Sequence, residues 1–415
     1  MKKLIKTTLC TGLILFAVMT ILGMILMRDS ASNLRYKEFW DDPGKFDIWM
    51  MGTSHVYYTV QPLELYDKYG VTSYDIAEPA GHISQSYWTM MCALDKATPD
   101  MIVLDVYELH MDTKLSTERP KLHTNFDKIP MSTTKIKGLW DLTDGNILQF
   151  LDLMYPYYYR CRKIRATEWE NILHPTYASA KGAKLRGNIK DISNKKLIPQ
   201  DDVIEEENVS MKYLVKIIEE CRARDIDLVL TAWPYYGHKA NQRGLNSAKA
   251  IAEKYDVPLI DIRYDDFMDT RYNFKDMSHV NYSGAHKLTS LLGDYIHNHF
   301  ELKDYHGTNT DTEKEWDKAL KRYKNILKSR IQETTGLRIM LVWLSSDYFS
   351  ADIYVGSTPN STTQAMIDNV AKKKFITKEK AEEILGKSIN YSDIVVIVRD
   401  ENKDVIAHVI SDKNK

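Results

Sequence analysis

The chain has 415 residues, of which 44% are hydrophobic and 27% are charged, and its formal net charge is −1 at pH 7. This length supports more than one domain, and the composition is typical of a globular protein and not of a disordered one. The near-neutral charge excludes the broad basic field of a nucleic-acid-binding protein. The four cysteines form no C-x-x-C pair and none has a histidine at zinc-ligand spacing, so we expect no metal and no cofactor.

The amino-terminal segment predicts a membrane anchor. Three lysines among the first six residues precede residues 7–27, an uncharged and mostly apolar run that Arg28 closes. Roughly 20 apolar residues in a helix cross a hydrocarbon core of about 30 Å, and lysines on the near side favour a cytoplasmic amino terminus. We therefore expect residues 1–29 to form a single-pass anchor in a bacterial cell membrane, with the body of the chain outside the cytoplasm. A cleaved signal peptide is the alternative, although no A-x-A cleavage site precedes Arg28.

Strands and helices alternate through residues 30–301. Apolar runs bounded by turn residues predict buried strands at 46–51, 71–77, 101–106, 226–232 and 257–262. Helices are predicted between or after them, at 84–94, 211–224, 245–255 and 283–300. This alternation is typical of an α/β fold with a doubly wound parallel sheet.

Residues 113–204 interrupt the alternation, and we expect them to form an insertion over the carboxyl edge of the sheet. They include an aromatic helix around residues 150–158 and a basic run at 181–196, which is followed by an acidic run at 201–207. The basic run has two interpretations. Either it binds an anionic polymer, or it is a solvated surface whose charge the acidic run balances, which is the commoner situation.

Residues 302–415 predict a separate, small α+β unit of unknown role. Apolar side chains from Trp316 to Ile331 recur at helical spacing on one face. Further elements are predicted as strands at 337–344, 351–354, 393–398 and 405–410, the last two joined by a hairpin turn, and as helices at 363–372 and 377–385.

Gly52-Thr53-Ser54-His55 directly follows the first predicted strand. Glycine lets the chain turn sharply at the carboxyl end of a strand, so the serine two positions later can present its hydroxyl above the sheet edge, at the start of a helix. A serine at a helix start is also a common cap without any chemical role. The motif therefore needs a partner elsewhere in the chain.

Asp276-Met277-Ser278-His279 supplies that partner just before the last predicted helix. Because the aspartate lies three residues before the histidine, one loop can provide both a base and the carboxylate that orients it. We expect Ser54 to be the catalytic nucleophile, His279 to take its proton, and Asp276 to hold the imidazole tautomer. Each residue alone has a structural explanation, and it is their pairing on an α/β pattern that favours catalysis.

The two segments together resemble the SGNH/GDSL hydrolase superfamily, in which G-x-S follows the first strand and D-x-x-H precedes the last helix. The second segment continues as Val-Asn-Tyr-Ser-Gly-Ala from Val280, close to the D-x-x-H-h-N-x-x-G-A form of the membrane-anchored branch. That branch includes the D-alanyl-lipoteichoic acid biosynthesis transferases and the alginate and peptidoglycan O-acetylation proteins. The resemblance covers residues 45–300 and implies a flavodoxin-like sheet carrying a Ser54–Asp276–His279 site.

The chain departs from the esterase pattern of that superfamily around the oxyanion hole. Asp-Val-Tyr-Glu, from Asp105 to Glu108, stands where esterases have G-x-N-D with its oxyanion-binding asparagine. The resemblance implies that the Gly81 amide joins the Ser54 amide as a donor. Loss of one donor costs about 10²- to 10³-fold in rate, unless His82, Tyr107 or a backbone amide replaces it.

The function that these features predict is an extracytoplasmic esterase or acyltransferase, acting on O-acyl groups of a cell-envelope polysaccharide or teichoic acid through an acyl-serine intermediate. The absent G-x-N-D block favours the acyltransferase branch. Its expected partners are the membrane, the glycopolymer substrate and a membrane-bound O-acyltransferase, with no nucleic acid. The alternatives are a catalytically idle binding or scaffold subunit of a surface-polysaccharide assembly complex, and a lipase-like hydrolase.

Overall fold

The computed structural model describes residues 2–27, 31–154, 180–184, 190, 192–195, 197–263, 267–268, 270 and 273–329, and five more strands between residues 331 and 410. The helices are α1 (Lys2–Met27), α2 (Ala31–Asp41), α3 (Ser54–Thr59), α4 (Pro62–Tyr69), α5 (Ile83–Leu94), α6 (Arg119–Phe126), α7 (Thr133–Leu142), α8 (Ile147–Met154), α9 (Val209–Ala223), α10 (Lys239–Lys254), α11 (Tyr282–His299) and α12 (Asp311–Ser329).

A parallel five-stranded sheet forms the centre of the body. Its strands are β1 (Ile48–Met51), β2 (Ser73–Asp75), β3 (Met101–Asp105), β4 (Asp227–Ala232) and β5 (Leu259–Asp261), in the order β2-β1-β3-β4-β5. This is the flavodoxin-like order of doubly wound sheets, in which ligands bind beyond the carboxyl ends of the strands. The predicted α/β class and the doubly wound parallel sheet are confirmed.

Both faces of the sheet are buried, because alternate strand residues pack into two different cores. Ile48 and Met50 belong to one core with side chains of α3 and α11, whereas Trp49 and Met51 belong to the other, with side chains of α2, α5 and α9. Parallel strands covered by helices on both faces are apolar at nearly every position. That is why β1 and β3 could be predicted as short continuous apolar runs.

The structure corrects the prediction of a membrane anchor. Residues 2–27 form the helix α1, which contains the apolar run from which the anchor was predicted. In the part of the chain that the structure describes, no helix is long and apolar enough to cross a membrane. The prediction of a single-pass anchor, and of a body outside the cytoplasm that followed from it, is therefore not supported.

The predicted insertion begins at the carboxyl edge of the sheet, against the start of α5. The Thr113 carbonyl oxygen lies 2.8 Å from His82 Nδ1, and Ser84 Oγ donates to the Lys114 carbonyl oxygen at 2.6 Å. Beyond this contact, α7 packs against α5, and α8 packs against α6 and α7. Only α8 represents the predicted aromatic helix, since residues 155–158 lie outside the described residues.

A second, antiparallel sheet lies in the predicted carboxyl-terminal unit. Its strands are β6 (Ile331–Thr334), β7 (Leu337–Met340), β8 (Ser350–Val355), β9 (Ile394–Arg399) and β10 (Val405–Ile410), in the order β10-β9-β8-β7-β6. Ile331 therefore starts a strand and does not continue the preceding helix. The two helices predicted at 363–372 and 377–385 lie outside the described residues.

Helix α12 also falls within residues 302–415, yet it packs on the body of the protein. Trp316 and Tyr323 are buried, with only 2% and 1% of their surface exposed. The Tyr323 hydroxyl donates to Glu64 of α4 at 2.9 Å, and Tyr66 of α4 donates to Asp317 at 2.9 Å. The packing of the body therefore continues past the predicted boundary at residue 302.

Candidate active site

A sharp turn at Gly52 connects β1 to α3 at the carboxyl edge of the sheet. The φ angle of Gly52 is +123°, and a Cβ at this position would lie 2.7 Å from Cβ of Asp105 on the neighbouring strand β3. Only glycine combines this backbone conformation with such a close approach. Because the turn is tight, Ser54 becomes the first residue of α3, at the edge where the crevice of a doubly wound sheet opens.

Thr53 and Asp105 stabilise this turn through hydrogen bonds. The buried Thr53 hydroxyl donates to Asp105 Oδ2 at 2.6 Å and accepts from the His55 amide at 3.2 Å. Asp105 is fully buried, and its other oxygen accepts the Tyr107 amide at 3.3 Å. A buried carboxylate is stable only when hydrogen bonds or charges compensate for its lost hydration. The nucleophile turn and the end of β3 therefore form one hydrogen-bonded unit.

The loop before α11 brings His279 and Asp276 to Ser54, which is distant in sequence. Ser54 Oγ lies 2.7 Å from His279 Nε2, and His279 Nδ1 lies 2.9 Å from Asp276 Oδ1. The same Asp276 oxygen accepts the Ser278 and His279 amides at 2.8 and 2.9 Å, which fixes the carboxylate within its own loop. The three residues singled out in the sequence thus form one continuous hydrogen-bonded chain.

The surroundings of His279 favour its neutral form. Burial lowers the pKa of His279 below its usual value of 6.5, the nearby His55 lowers it further, and the hydrogen bond with Asp276 opposes both effects. For Asp276, burial raises the pKa, but hydrogen bonds from His279 and Lys275 outweigh it and hold that pKa far below the usual range. A neutral imidazole beside an ionised carboxylate is the state in which histidine accepts a proton from a hydroxyl group.

The predicted oxyanion donors are arranged differently from the expectation. The Gly81 amide donates to the Glu78 carbonyl oxygen at 3.2 Å, so it is not free to bind an oxyanion in this conformation. His82 caps α5, and its ring contacts Thr113. Tyr107 packs edge-on against the ring of His55, with centroids 4.1 Å apart. The Ser54 amide makes no hydrogen bond to any residue that the structure describes, which leaves it available as a donor at the start of α3.

Two residues that the sequence analysis did not single out, Lys275 and Tyr58, lie beside the hydrogen-bonded chain of Ser54, His279 and Asp276. Lys275 Nζ donates to Asp276 Oδ2 at 2.6 Å and lies 4.2 Å from the ring centroid of Tyr58. The Tyr58 ring lies 4.8 Å from that of His279. Their only sequence signal was adjacency, because Lys275 precedes Asp276 and Tyr58 lies one helical turn after Ser54.

Glu108 is a further acidic side chain near the nucleophile turn, where it interacts with His55. Burial raises the pKa of Glu108 to about 7, while His55 opposes this effect. The ring of His55 packs edge-on against the ring of Tyr107. It also stacks on the ring of Tyr235, and the centroids of that pair are 5.0 Å apart. Within the described part of the chain, no group of three or more His, Cys, Asp or Glu residues is placed to hold a metal ion.

Fold and site together define a class: a doubly wound α/β protein with a Ser–His–Asp arrangement at the carboxyl edge of its sheet. Two solved structures are similar to the chain. A GDSL-like lipase from Bacteroides thetaiotaomicron has 11% identity and a TM-score of 0.30, and the match covers 64% of this chain and 98% of that one. A protein from Bacteroides fragilis, described as a candidate acylhydrolase, has 12% identity and a TM-score of 0.31, with 65% and 98% covered.

Both descriptions fall in the class of acyl-ester hydrolases to which the sequence resemblance points, and neither names the membrane-anchored branch. At these TM-scores the likeness carries no argument about activity. No protein-family model and no curated protein matches the chain. The case for a function therefore rests on the geometry around Ser54.

Proposed function

We propose that the protein is a serine esterase or acyltransferase that carries its acyl group on Ser54 Oγ. The observation that carries this proposal is the hydrogen-bonded chain from Ser54 through His279 to Asp276, with heavy-atom distances of 2.7 and 2.9 Å. These distances lie within hydrogen-bond reach, which a nucleophile and its general base require. The low pKa of Asp276 and the lowered pKa of His279 favour the protonation states that the reaction needs.

In the first half-reaction, Ser54 Oγ attacks the ester carbonyl carbon while its proton moves to His279 Nε2. Asp276 stabilises the imidazolium that forms. The tetrahedral intermediate collapses with cleavage of the bond between the carbonyl carbon and the leaving oxygen, and His279 returns the proton to that oxygen. The alcohol departs, and the acyl group remains on Ser54 as an ester.

In the second half-reaction, a hydroxyl group of an acceptor, or water, attacks the acyl carbon. His279 takes the proton of the attacking group and delivers it to Ser54 Oγ as the acyl–serine bond breaks. The Ser54 amide, at the start of α3, donates to the oxyanion in both half-reactions. Water as the acceptor makes the protein an esterase, and a sugar or polyol hydroxyl makes it a transferase.

The substrates we propose are O-acyl esters of a cell-envelope polysaccharide or teichoic acid. Support for this comes from the resemblance of the segment around His279 to the O-acylation branch. The absence of an esterase-type asparagine after β3, where Tyr107 stands instead and packs against His55, favours transfer to a hydroxyl group over fast hydrolysis. The proposal does not depend on a membrane anchor.

Incubation with an aryl acetate tests the chemistry directly. We expect intact-mass analysis to show one acyl adduct on the wild-type protein, and release of the aryl alcohol at a measurable rate. Ser54→Ala should abolish the adduct and lower turnover by at least about 10³-fold, and the double variant with His279→Ala should cost little more, because the members of a triad act as a unit. Ser278→Ala, which alters a serine in the same loop, is the matched control and should keep the activity.

One observation favours a second function, that of a catalytically idle binding subunit. The Gly81 amide donates to the Glu78 carbonyl oxygen, so of the two backbone amides predicted as oxyanion donors, that of Ser54 is the one that makes no hydrogen bond to a residue that the structure describes. The same experiment decides between the two. If the wild-type protein forms no adduct and turns over no more ester than Ser54→Ala, the binding function is the better account.

A further inference from the structure

A strained turn follows β2, next to the nucleophile turn. It spans residues 78–81, and the Gly81 amide closes it by donating to the Glu78 carbonyl oxygen at 3.2 Å. The φ angle of Ala80 is +47°, in the left-handed region. Proline at the second position and a positive φ at the third are the pattern of a type II turn, whose third position normally requires glycine. An alanine residue in this conformation is strained, and such strain persists only where the surrounding structure imposes it.

Hydrogen bonds hold both ends of this turn. On one side, the Glu78 amide donates to the Gly52 carbonyl oxygen of the nucleophile turn at 2.8 Å. On the other side, the His82 amide donates to Gln85 Oε1 at 2.7 Å, which fixes the start of α5. The strain therefore cannot relax by a movement of the whole segment, and residues 79–81 are the part of the backbone in which a change can take place.

The side chain of Glu78 makes the first of these two ends rigid. It is buried, accepts from the Thr89 hydroxyl at 2.8 Å and pairs with the buried Lys128 at 3.4 Å. Separating a buried ion pair is costly, because each charge would remain without its partner. The proline that follows has a fixed φ. A change in the direction of the Gly81 amide must therefore come from rotation at Ala80 and at the glycine itself.

We propose that residues 78–81, called here the oxyanion turn, have a second state in which Ala80 leaves the left-handed region and the bond between the Gly81 amide and the Glu78 carbonyl oxygen opens. In that state the Gly81 amide donates to the oxyanion that forms on the acyl group at Ser54. Ala80 is a positioning residue, because its strain destabilises the resting state and so favours the change. The inference rests on the proposed function and deepens it by naming the second oxyanion donor and the residue that controls it.

Ala80→Gly tests the second state by removing the strain. Glycine adopts the left-handed region without penalty, whereas the penalty for alanine corresponds to about 10-fold in the population of the resting state. We therefore expect kcat and kcat/KM on an aryl acetate to fall together by about 10-fold, with KM unchanged, because the Gly81 amide binds the oxyanion and not the ground state of the ester. The melting temperature should stay the same or rise, so that the loss of activity is not a loss of stability.

Solvent exchange of the Gly81 amide, followed by NMR, reports the state of the turn independently of activity. Ala80 and Gly81 form the one Ala-Gly pair in the sequence, so alanine labelled at its carbonyl carbon and glycine labelled at nitrogen give a single signal. In Ala80→Gly, doubly labelled glycine serves the same purpose. After correction for intrinsic rates, exchange should be about 10-fold slower in this variant, since it requires the bond to Glu78 to open. Ala80→Val should exchange faster and keep at least the wild-type kcat despite a lower melting temperature, because β-branched residues disfavour the left-handed region.

Asp256→Gly is the matched control. Asp256 also has a left-handed backbone, with a φ angle of +48°, but it lies between α10 and β5 at the amino edge of the sheet, opposite the candidate active site. This variant relieves strain of the same kind and should leave kcat unchanged. An equal loss of kcat in both variants would assign the effect to glycine substitution in general and overturn the second state of the oxyanion turn.

Failure of the inference is distinguishable from failure of the proposed function. If the wild-type protein turns over the ester and Ala80→Gly keeps the wild-type kcat, or lowers it without slowing exchange of the Gly81 amide, the second state is overturned and the esterase stands. If the wild-type protein turns over no ester, the proposed function fails and amide exchange alone decides about the turn. Slower exchange in Ala80→Gly and faster exchange in Ala80→Val then support its two states, and equal exchange in all three proteins overturns them.

Discussion

His279 is the residue whose protonation controls the proposed chemistry. The side chain of His279 is 20% exposed, so the ring is largely removed from water. Its Nδ1 atom is hydrogen-bonded to Asp276. Burial penalises the imidazolium, and Asp276 partly restores it. The balance is a pKa below 6.5, so that the base is neutral at the pH of most cells.

The pH dependence follows from that direction. Activity requires neutral His279, so kcat/KM should fall as the pH drops through its lowered pKa, and the acidic limb should lie below pH 6.5. Asp276→Asn removes the group that raises this pKa, so the limb should move to still lower pH while the plateau falls, by up to about 10⁴-fold. A pH–rate profile of both proteins on a neutral ester measures this. A wild-type limb above pH 6.5 would contradict the assignment of His279 as the base.

Thr53 supports the nucleophile turn through the hydrogen bond of its buried hydroxyl to Asp105. Thr53→Val keeps the shape of the side chain but leaves the buried Asp105 oxygen without its 2.6 Å donor. An unsatisfied buried acceptor costs about 1–3 kcal/mol, and more when it is charged. We therefore expect urea denaturation to show a loss of at least that size, whereas Thr53→Ser should lose only about 0.8 kcal/mol for its methyl group. A Thr53→Val protein as stable as the wild type would show that the hydroxyl is not needed to compensate Asp105.

Ser54, Asp276 and His279 could be singled out from the sequence because each depends on local chain geometry and on topology. A glycine turn after a strand places a serine at the sheet edge, and a three-residue spacing places a carboxylate beside an imidazole. The oxyanion prediction depended on the direction of one amide. The backbone after β2 turns the Gly81 amide toward the Glu78 carbonyl oxygen, and no residue type in the sequence reports that rotation.

At the scale of elements, the strands of the central sheet could be predicted because they are apolar on both faces. The helix α2 was missed, since its sequence mixes charged and aromatic residues and has little apolar periodicity. Its order comes from tertiary contacts: Phe39 and Trp40 are buried, and Arg35 donates to the Ala77 carbonyl oxygen just after β2 at 3.0 Å. Packing against the sheet therefore determines this helix more than local propensity does.

At the scale of the whole molecule, α12 links the predicted carboxyl-terminal unit to the body. Trp316 packs near Phe46 and Tyr66, with ring centroids 6.3 and 5.1 Å apart, and Lys324 pairs with Asp67 at 2.7 Å. The sequence analysis assigned the apolar face from Trp316 onward to the separate unit. Helical spacing shows that a helix has a buried face, but it does not show which part of the chain covers that face, and in the structure Trp316 and Tyr323 are buried against the body.

Two truncations test whether the core of the body includes α12. A chain that stops after Ser329 keeps α12, and we expect it to melt in one cooperative transition. A chain that stops after Glu301 loses the buried Trp316 and Tyr323. Removal of a large buried aromatic side chain typically costs about 3–5 kcal/mol, and two such losses approach the 5–15 kcal/mol by which whole domains are stable.

We therefore expect the shorter chain to be insoluble or to melt without cooperativity, as measured by differential scanning calorimetry and near-ultraviolet circular dichroism. Tyr323→Phe in the full chain is the graded control, because it removes only the 2.9 Å hydrogen bond to Glu64 and keeps the ring in the core. It should lower the melting temperature modestly and leave the transition cooperative. A chain ending at Glu301 that melts as cooperatively as the chain ending at Ser329, and at the same temperature, would instead place the boundary of a separable unit at residue 302 and make α12 a part of that unit.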